Sequence, residues 1–93
     1  ELAKLQRKLL KSAWQALKEG GKMVYSTCTL NKKENEEVLE WAIGELGIKI
    51  EEIPLEIKNA IPAISEKKEV TKAIRILPSK ETEGFFIAKL RKV

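Results

Sequence analysis

From Leu2 to Lys18 apolar side chains return every three or four positions, at Leu2, Leu5, Leu9, Ala13, Ala16 and Leu17. An α-helix turns once in ~3.6 residues, so this spacing predicts a helix with those residues along one face, widened by Leu10 and Trp14. Gly20-Gly21 should stop it, because glycine adopts the left-handed conformation of a C-terminal cap without a Cβ clash. Met23-Val24-Tyr25 follows as a short apolar run, the pattern of a buried strand in a parallel sheet. Asn31 with Glu34 three positions on predicts an N-cap and its reciprocal acid. The helix they open has Val38, Leu39, Ala42, Ile43 and Leu46 on its buried face and ends at Gly47.

Beyond Gly47 the period changes. Ile48 to Ile53 alternates apolar and charged residues, which predicts a half-exposed extended segment. Pro54 to Glu69 has no clear period; Pro54, Pro62 and scattered isoleucines suggest an irregular, partly packed connection. Ala73 to Leu77 and Phe85 to Leu90 are strand candidates around a turn with Pro78 and Gly84, and should pair antiparallel. Successive strand residues face opposite ways, so one of Phe85 and Phe86 belongs to the core and the other to the far face. Helix, strand, helix and a closing antiparallel β-hairpin predict an α/β fold, the second half of a doubly wound Rossmann-like domain. Residues 1–93 would then form one portion of a single domain.

Composition narrows the picture. A chain of 93 residues is small for an autonomous catalytic α/β domain but long enough for one core. Apolar residues at 43% with charged residues at 34% exclude a disordered chain. No apolar run approaches the roughly 18 residues of a membrane span, so a soluble chain with no membrane partner is expected. The segment has no secretory signal pattern and its one cysteine cannot form an internal disulfide, which points to the cytoplasm. A net charge of +4 suits a polyanionic partner without requiring one. Histidine and aspartate are both absent, which rules out a His-based triad, a His/Cys zinc site and an EF-hand loop in this segment, and no metal is expected.

Chemistry must therefore come from Cys28, Lys, Glu, Tyr or Ser, or from residues outside the segment. Tyr25-Ser26-Thr27-Cys28-Thr29-Leu30 leaves the first strand just before the second helix. Open α/β sheets bind ligands beyond the carboxyl ends of their strands, where a thiol would face a crevice. Taken alone, a single cysteine is more often a small buried hydrophobe than a nucleophile. Thr27 and Thr29 are candidates for shaping the turn through their hydroxyls. Glu34 and Glu36 read as capping and solvated carboxylates rather than a general base. Arg75 is a candidate RNA phosphate contact, though a charged surface residue is usually only solvated, and Trp14 and Trp41 read as packing residues.

Two stretches carry a family likeness. The run from Leu17 to Val38, with Leu17-Lys18, Gly20-Gly21, Tyr25 to Leu30 and Glu34-Asn35-Glu36, resembles the signature of the Sun/Fmu-type RNA cytosine-C5 methyltransferases. There a Leu-Lys-x-Gly-Gly turn leads into a strand ending Tyr-Ser-Thr-Cys-Ser/Thr, followed by Glu-Asn-Glu. Arg75, Pro78, Gly84, Phe85, Phe86, Ala88 and Lys92 echo that family's closing segment, and Leu5-Gln6 with Leu9-Leu10 echoes the helix before the turn. Ser79 and Glu83 stand where the family often has His and Asp, a departure that bears on substrate contacts or loop geometry. The resemblance implies a Rossmann-like catalytic domain that moves a methyl group from S-adenosylmethionine to carbon 5 of cytosine in rRNA or tRNA. It further implies that Cys28 attacks carbon 6 of the ring. The donor's glycine-rich loop, the acidic residue for its ribose and a second cysteine belong to the preceding half of such a domain. That half is the expected protein partner, RNA the expected substrate, and this segment alone is expected to be inactive.

Other readings stay open. One is a small nonenzymatic RNA-binding or structural interaction module. Gly44-Glu45-Leu46-Gly47 matches the GxxG pattern of a KH loop, but within a helix and with an acid where a phosphate clamp uses bases. A P-loop fails because Met23 follows Gly20-Gly21-Lys22 where Ser or Thr is needed. In a purely structural fragment Cys28 would be inert, and alkylation separates that case from a reactive thiol.

Overall fold

The computed structural model describes residues 2–54, 56, 59–79 and 83–92, with the Leu2 side chain excepted. Helix α1 (Leu2–Ala16) leads into strand β1 (Lys22–Thr27), a 3-10 turn (Lys32–Glu34) and helix α2 (Glu36–Leu46). Strands β2 (Lys49–Glu51) and β3 (Ala60–Pro62), a second 3-10 turn (Val70–Lys72), and strands β4 (Ile74–Ile76) and β5 (Phe85–Arg91) follow. The strands form one sheet in the order β1-β5-β4-β3, with β2 also paired to β5. Every pairing among the described residues is antiparallel.

Pairing register divides the sheet into two faces. Thr27, Tyr25 and Met23 stand opposite Phe86, Ala88 and Leu90, and Ile50 also stands opposite Leu90. This face meets Leu10 and Trp14 of α1 and Val38, Leu39 and Ala42 of α2 to form the core, where Phe86 and Leu90 are wholly buried. Tyr25 packs edge-on to Phe86 with ring centroids 6.4 Å apart. As expected of alternation, Phe86 is core and Phe85 lies on the other face, 39% exposed. On that face Glu51 meets Lys22, Lys89 and Arg91 at 3.3 to 3.7 Å, exposed pairs of small energetic weight.

Several expectations change. The buried stripe of α1 is Ala3, Leu10 and Trp14, while Leu5 and Leu9 are 51% and 61% exposed and Ala13 and Ala16 are exposed too. The helix has two apolar stripes and the described elements cover one; the Leu2 side chain lies outside the described residues. Strand β1 is not the buried parallel strand its apolar run suggests. Its residues alternate between exposed and half-buried, with Val24 64% exposed, because helices cover one face and the antiparallel β5 lies along one edge. Asn31 does cap, accepting from the Lys33 amide, but it caps the 3-10 turn, and α2 starts at Glu36. Pro54 to Glu69, read as irregular, contains β3 among its described residues; residues 55, 57 and 58 of that stretch lie outside them.

The predicted stop at Gly47 holds, whereas α1 already ends at Ala16, ahead of Gly20-Gly21. Gly47 ends α2 at φ 68° and gives its amide to the Ile43 carbonyl. Gly20, at φ 77°, turns the chain from α1 into β1 and donates to the Lys92 carbonyl at 2.8 Å. Lys92 closes the same corner from its side chain, with Nζ donating to the carbonyls of Trp14 and Leu17 at 2.8 and 2.7 Å. The last carbonyls of a helix lack intrahelical donors and carry its negative end, so an ammonium there is doubly favourable. Lys92→Met keeps the stem and removes the charge; it should cost about 1–2 kcal/mol, read as a lower midpoint in urea unfolding.

Candidate active site

The segment after β1 is held from beneath by the start of α2. Thr27, the last β1 residue, points to the helix side, so the alternation sends Ser26 the other way. Cys28 is exposed, at a bend just past the strand's carboxyl end. The Thr27 hydroxyl lies 2.5 Å from Asn35 Oδ1 and 3.1 Å from the Thr29 carbonyl. Asn35 Nδ2 donates to that same carbonyl at 2.8 Å. Thr29 Oγ1 in turn accepts from the Asn31 amide at 3.1 Å. Both threonines flanking the thiol thus take part in hydrogen bonds that set the turn.

Tyr25 ties the strand to the same region, its phenol donating to the Glu34 carbonyl at 2.7 Å. Burial, and then the negative charge of Glu34, push its pKa up to about 12. The folded state therefore keeps the proton where an unfolded chain loses it near 10, and stability should fall as pH rises from about 10 to about 12. Tyr25 is the sole tyrosine of the chain. Tyrosinate absorbance should accordingly rise with a midpoint near 12 in the native chain and near 10 in denaturant.

Glu36 and Arg75 differ from what the sequence suggests. Glu36 is wholly buried rather than solvated. Its Oε2 and Oε1 accept from Arg75 Nε and Nη2 at 2.5 and 2.8 Å, and Oε2 also accepts from the Ile64 amide at 2.8 Å. Burial alone would push this carboxyl up, but the Arg75 guanidinium and then the Ile64 amide bring it below the usual carboxylate range. Arg75 is 8% exposed and is raised chiefly by its hydrogen bonds to Glu36. The side chain considered for RNA phosphate is thus engaged on an internal carboxylate, joining the first turn of α2 to β4.

The second motif touches the first through Gly84. A Cβ added there would lie 2.8 Å from Leu30 Cδ1 and 3.3 Å from the Ile76 carbonyl, so glycine lets Leu30, two residues past the thiol, lie against β5. Sequence reasoning missed Asn35 as a site residue, although it lies within the Glu-Asn-Glu that carries the likeness. An asparagine at a helix start reads as a cap, and this one makes no side-chain cap bond. Two surface concavities, one beside Trp41, Glu40 and Lys67 and one beside Pro54, Thr71 and Ile74, do not have Cys28 in their walls. Neither is lined by glycine.

Known proteins resemble the chain over nearly its whole length. The tRNA (cytosine(49)-C(5))-methyltransferase of Pyrococcus abyssi is 42% identical over 97% of this chain, and ribosomal RNA small subunit methyltransferase F of Salmonella agona is 40% identical over all of it. The chain spans only 31% and 19% of those two proteins. Among solved structures, a methyltransferase homolog protein from Pyrococcus horikoshii superposes with a TM-score of 0.86 at 38% identity, covering 99% of this chain and 31% of that one. NSun6 from the same organism, solved with SFG, gives 0.77 at 42% identity over 98% of this chain and 22% of its own. The antiparallel sheet with its helices is therefore a portion of a methyltransferase fold. Residues 1–91 match the family described as 16S rRNA methyltransferase RsmB/F, and the chain belongs to that family.

Proposed function

We propose that this chain is the C-terminal part of the catalytic domain of an enzyme that methylates carbon 5 of cytosine in rRNA or tRNA, with Cys28 as its nucleophile. The supporting observation is the exposed thiol at the carboxyl end of β1, in a turn braced through Thr27 and Thr29, at the position the family motif gives to its cysteine.

Carbon 5 of cytosine is a poor nucleophile because the ring is electron-poor. When the Cys28 thiolate adds to carbon 6, the ring electrons move to carbon 5, which can then take a methyl cation equivalent. S-adenosylmethionine supplies that group, held by the rest of the polypeptide. Loss of the proton from carbon 5 and expulsion of the thiolate restore the aromatic ring and free Cys28. Cysteine suits both ends of this sequence, since a thiolate attacks strongly and also leaves readily. The target base has to leave its stack to reach the sulfur, which favours loop or opened RNA as substrate.

The remainder of the polypeptide is the first partner. Leu5 and Leu9 on α1 and Val24 on β1 are apolar, exposed by half or more, and lie on surfaces that the described elements leave open. A preceding half-domain that buries them accounts for the two-stripe pattern of α1 and for the chain's small share of its relatives' length. Among the described residues no helix is long and apolar enough to cross a membrane, in keeping with an RNA enzyme of the cytoplasm.

To test this reading, the complete polypeptide is given S-adenosylmethionine and an RNA carrying 5-azacytosine, whose ring blocks release of the thiolate. A covalent protein–RNA adduct that maps to Cys28 is expected. No adduct, or one mapping elsewhere, would overturn the assignment.

A further inference from the structure

Asn35 sits at the start of α2 with none of its surface exposed. Helix N-caps of this type ordinarily turn their side-chain oxygen onto the amides of the first turn. This one makes no such bond, and its carboxamide points back into the turn that carries Cys28. Hydrogen bonding fixes which atom is which: the Thr29 carbonyl can only accept, so the group 2.8 Å from it is the NH2 and the oxygen faces the Thr27 hydroxyl. One planar group thus grips the residue before the thiol and the residue after it. The backbone of Asn35 is itself anchored, its amide donating to the Lys32 carbonyl and its carbonyl accepting from the Leu39 amide. Its neighbour Glu36 is locked to Arg75 and Ile64.

From this we infer that Asn35 is the positioning residue of Cys28: its carboxamide holds the Thr27–Thr29 turn so that the sulfur meets carbon 6 of the flipped base. The inference rests on the proposed role of Cys28. The job needs a donor and an acceptor on one short rigid head, which among the twenty side chains asparagine alone supplies at this length. Aspartate lacks the donor for the Thr29 carbonyl and sets a negative oxygen against it. Alanine leaves the carbonyl and the Thr27 hydroxyl without this partner. A displacement of the nucleophile by ~1 Å can cost about a hundredfold in rate while leaving binding of the remote RNA intact.

Single-turnover methyl transfer and 5-azacytosine trapping by the complete polypeptide test the inference. Asn35→Ala and Asn35→Asp should slow both by about 10- to 100-fold while changing the RNA KM less than about threefold. Thr27→Val should slow them similarly, Thr27→Ser should restore the parent rate by returning the hydroxyl, and Asn35→Ala with Thr27→Val should be no slower than either alone, as members of one network. If the Asn35 variants do not fold, the Thr27→Val and Thr27→Ser pair decides by the same rates. Parent-like rates in Asn35→Ala, or a KM that rises as far as kcat falls, would overturn the positioning role. A parent protein that forms no adduct would instead overturn the role of Cys28 itself, so the two failures are distinguishable.

Discussion

Replacing Cys28 by serine in the complete polypeptide should abolish the trapped adduct and lower methyl transfer by about a thousandfold or more. The reason is electronic rather than steric. A serine hydroxyl of nearly the same shape keeps its proton at neutral pH and so has no anion to add to carbon 6. Carbon 5 then stays too electron-poor to accept the methyl group. Cys28 is exposed and lies outside the core, so the same substitution should move unfolding stability by no more than about 0.5 kcal/mol. A large loss of rate at unchanged stability is therefore the expected signature. An adduct that survives Cys28→Ser would move the attack to another residue.

The largest effect on stability is expected at the Glu36–Arg75 pair. Arg75→Ala should cost about 3–5 kcal/mol, because it strands an ionised carboxylate with no exposed surface. Small domains have only about 5–15 kcal/mol in all, so much of the margin disappears. Replacing both partners by apolar residues, Glu36→Leu with Arg75→Met, should be far milder, since no charge is then left unpaired. Urea unfolding of the single and double variants measures the difference. Acid probes the same pair with a definite sign. The folded carboxyl lies below the usual 4.5, so the stabilisation is present above that value and is lost as pH falls through the lower folded one. The Arg75→Ala chain should lack this acid-dependent component, and an unaltered acid profile would remove Glu36 as its source.

The elements legible in the sequence were those whose partners lie close along the chain. The α2 face from Val38 to Leu46, the glycine stop at Gly47 and the β4–β5 hairpin all follow from spacing within about a dozen residues. So did the thiol after β1, through the motif around it. What stayed hidden depended on distant partners. Glu36 reads as a solvated acid because Arg75 lies 39 positions on, and nothing in a local window reveals the pair. Leu5 and Leu9 read as core because an apolar stripe says that something covers it, not that the cover belongs to the same segment. Pro62 disguised β3, since proline inside an unclear pattern argues for a loop. Asn35 is hidden for a different reason: its partners Thr27 and Thr29 belong to the turn before the helix, which spacing within the helix does not reveal.

Strand β5 lies between β1 on one side and β2 and β4 on the other, yet it is the last of the described elements to be synthesised. Until Phe85–Arg91 leaves the ribosome, β1, β2 and β4 lack the one strand of this chain that joins them. Cys28 emerges more than fifty residues earlier, so the thiol would spend that interval on an unassembled, aggregation-exposed chain. Assembly of this sheet thus waits on β5, and a stop codon ahead of Phe85 would remove every pairing among the described strands except that of β3 with β4.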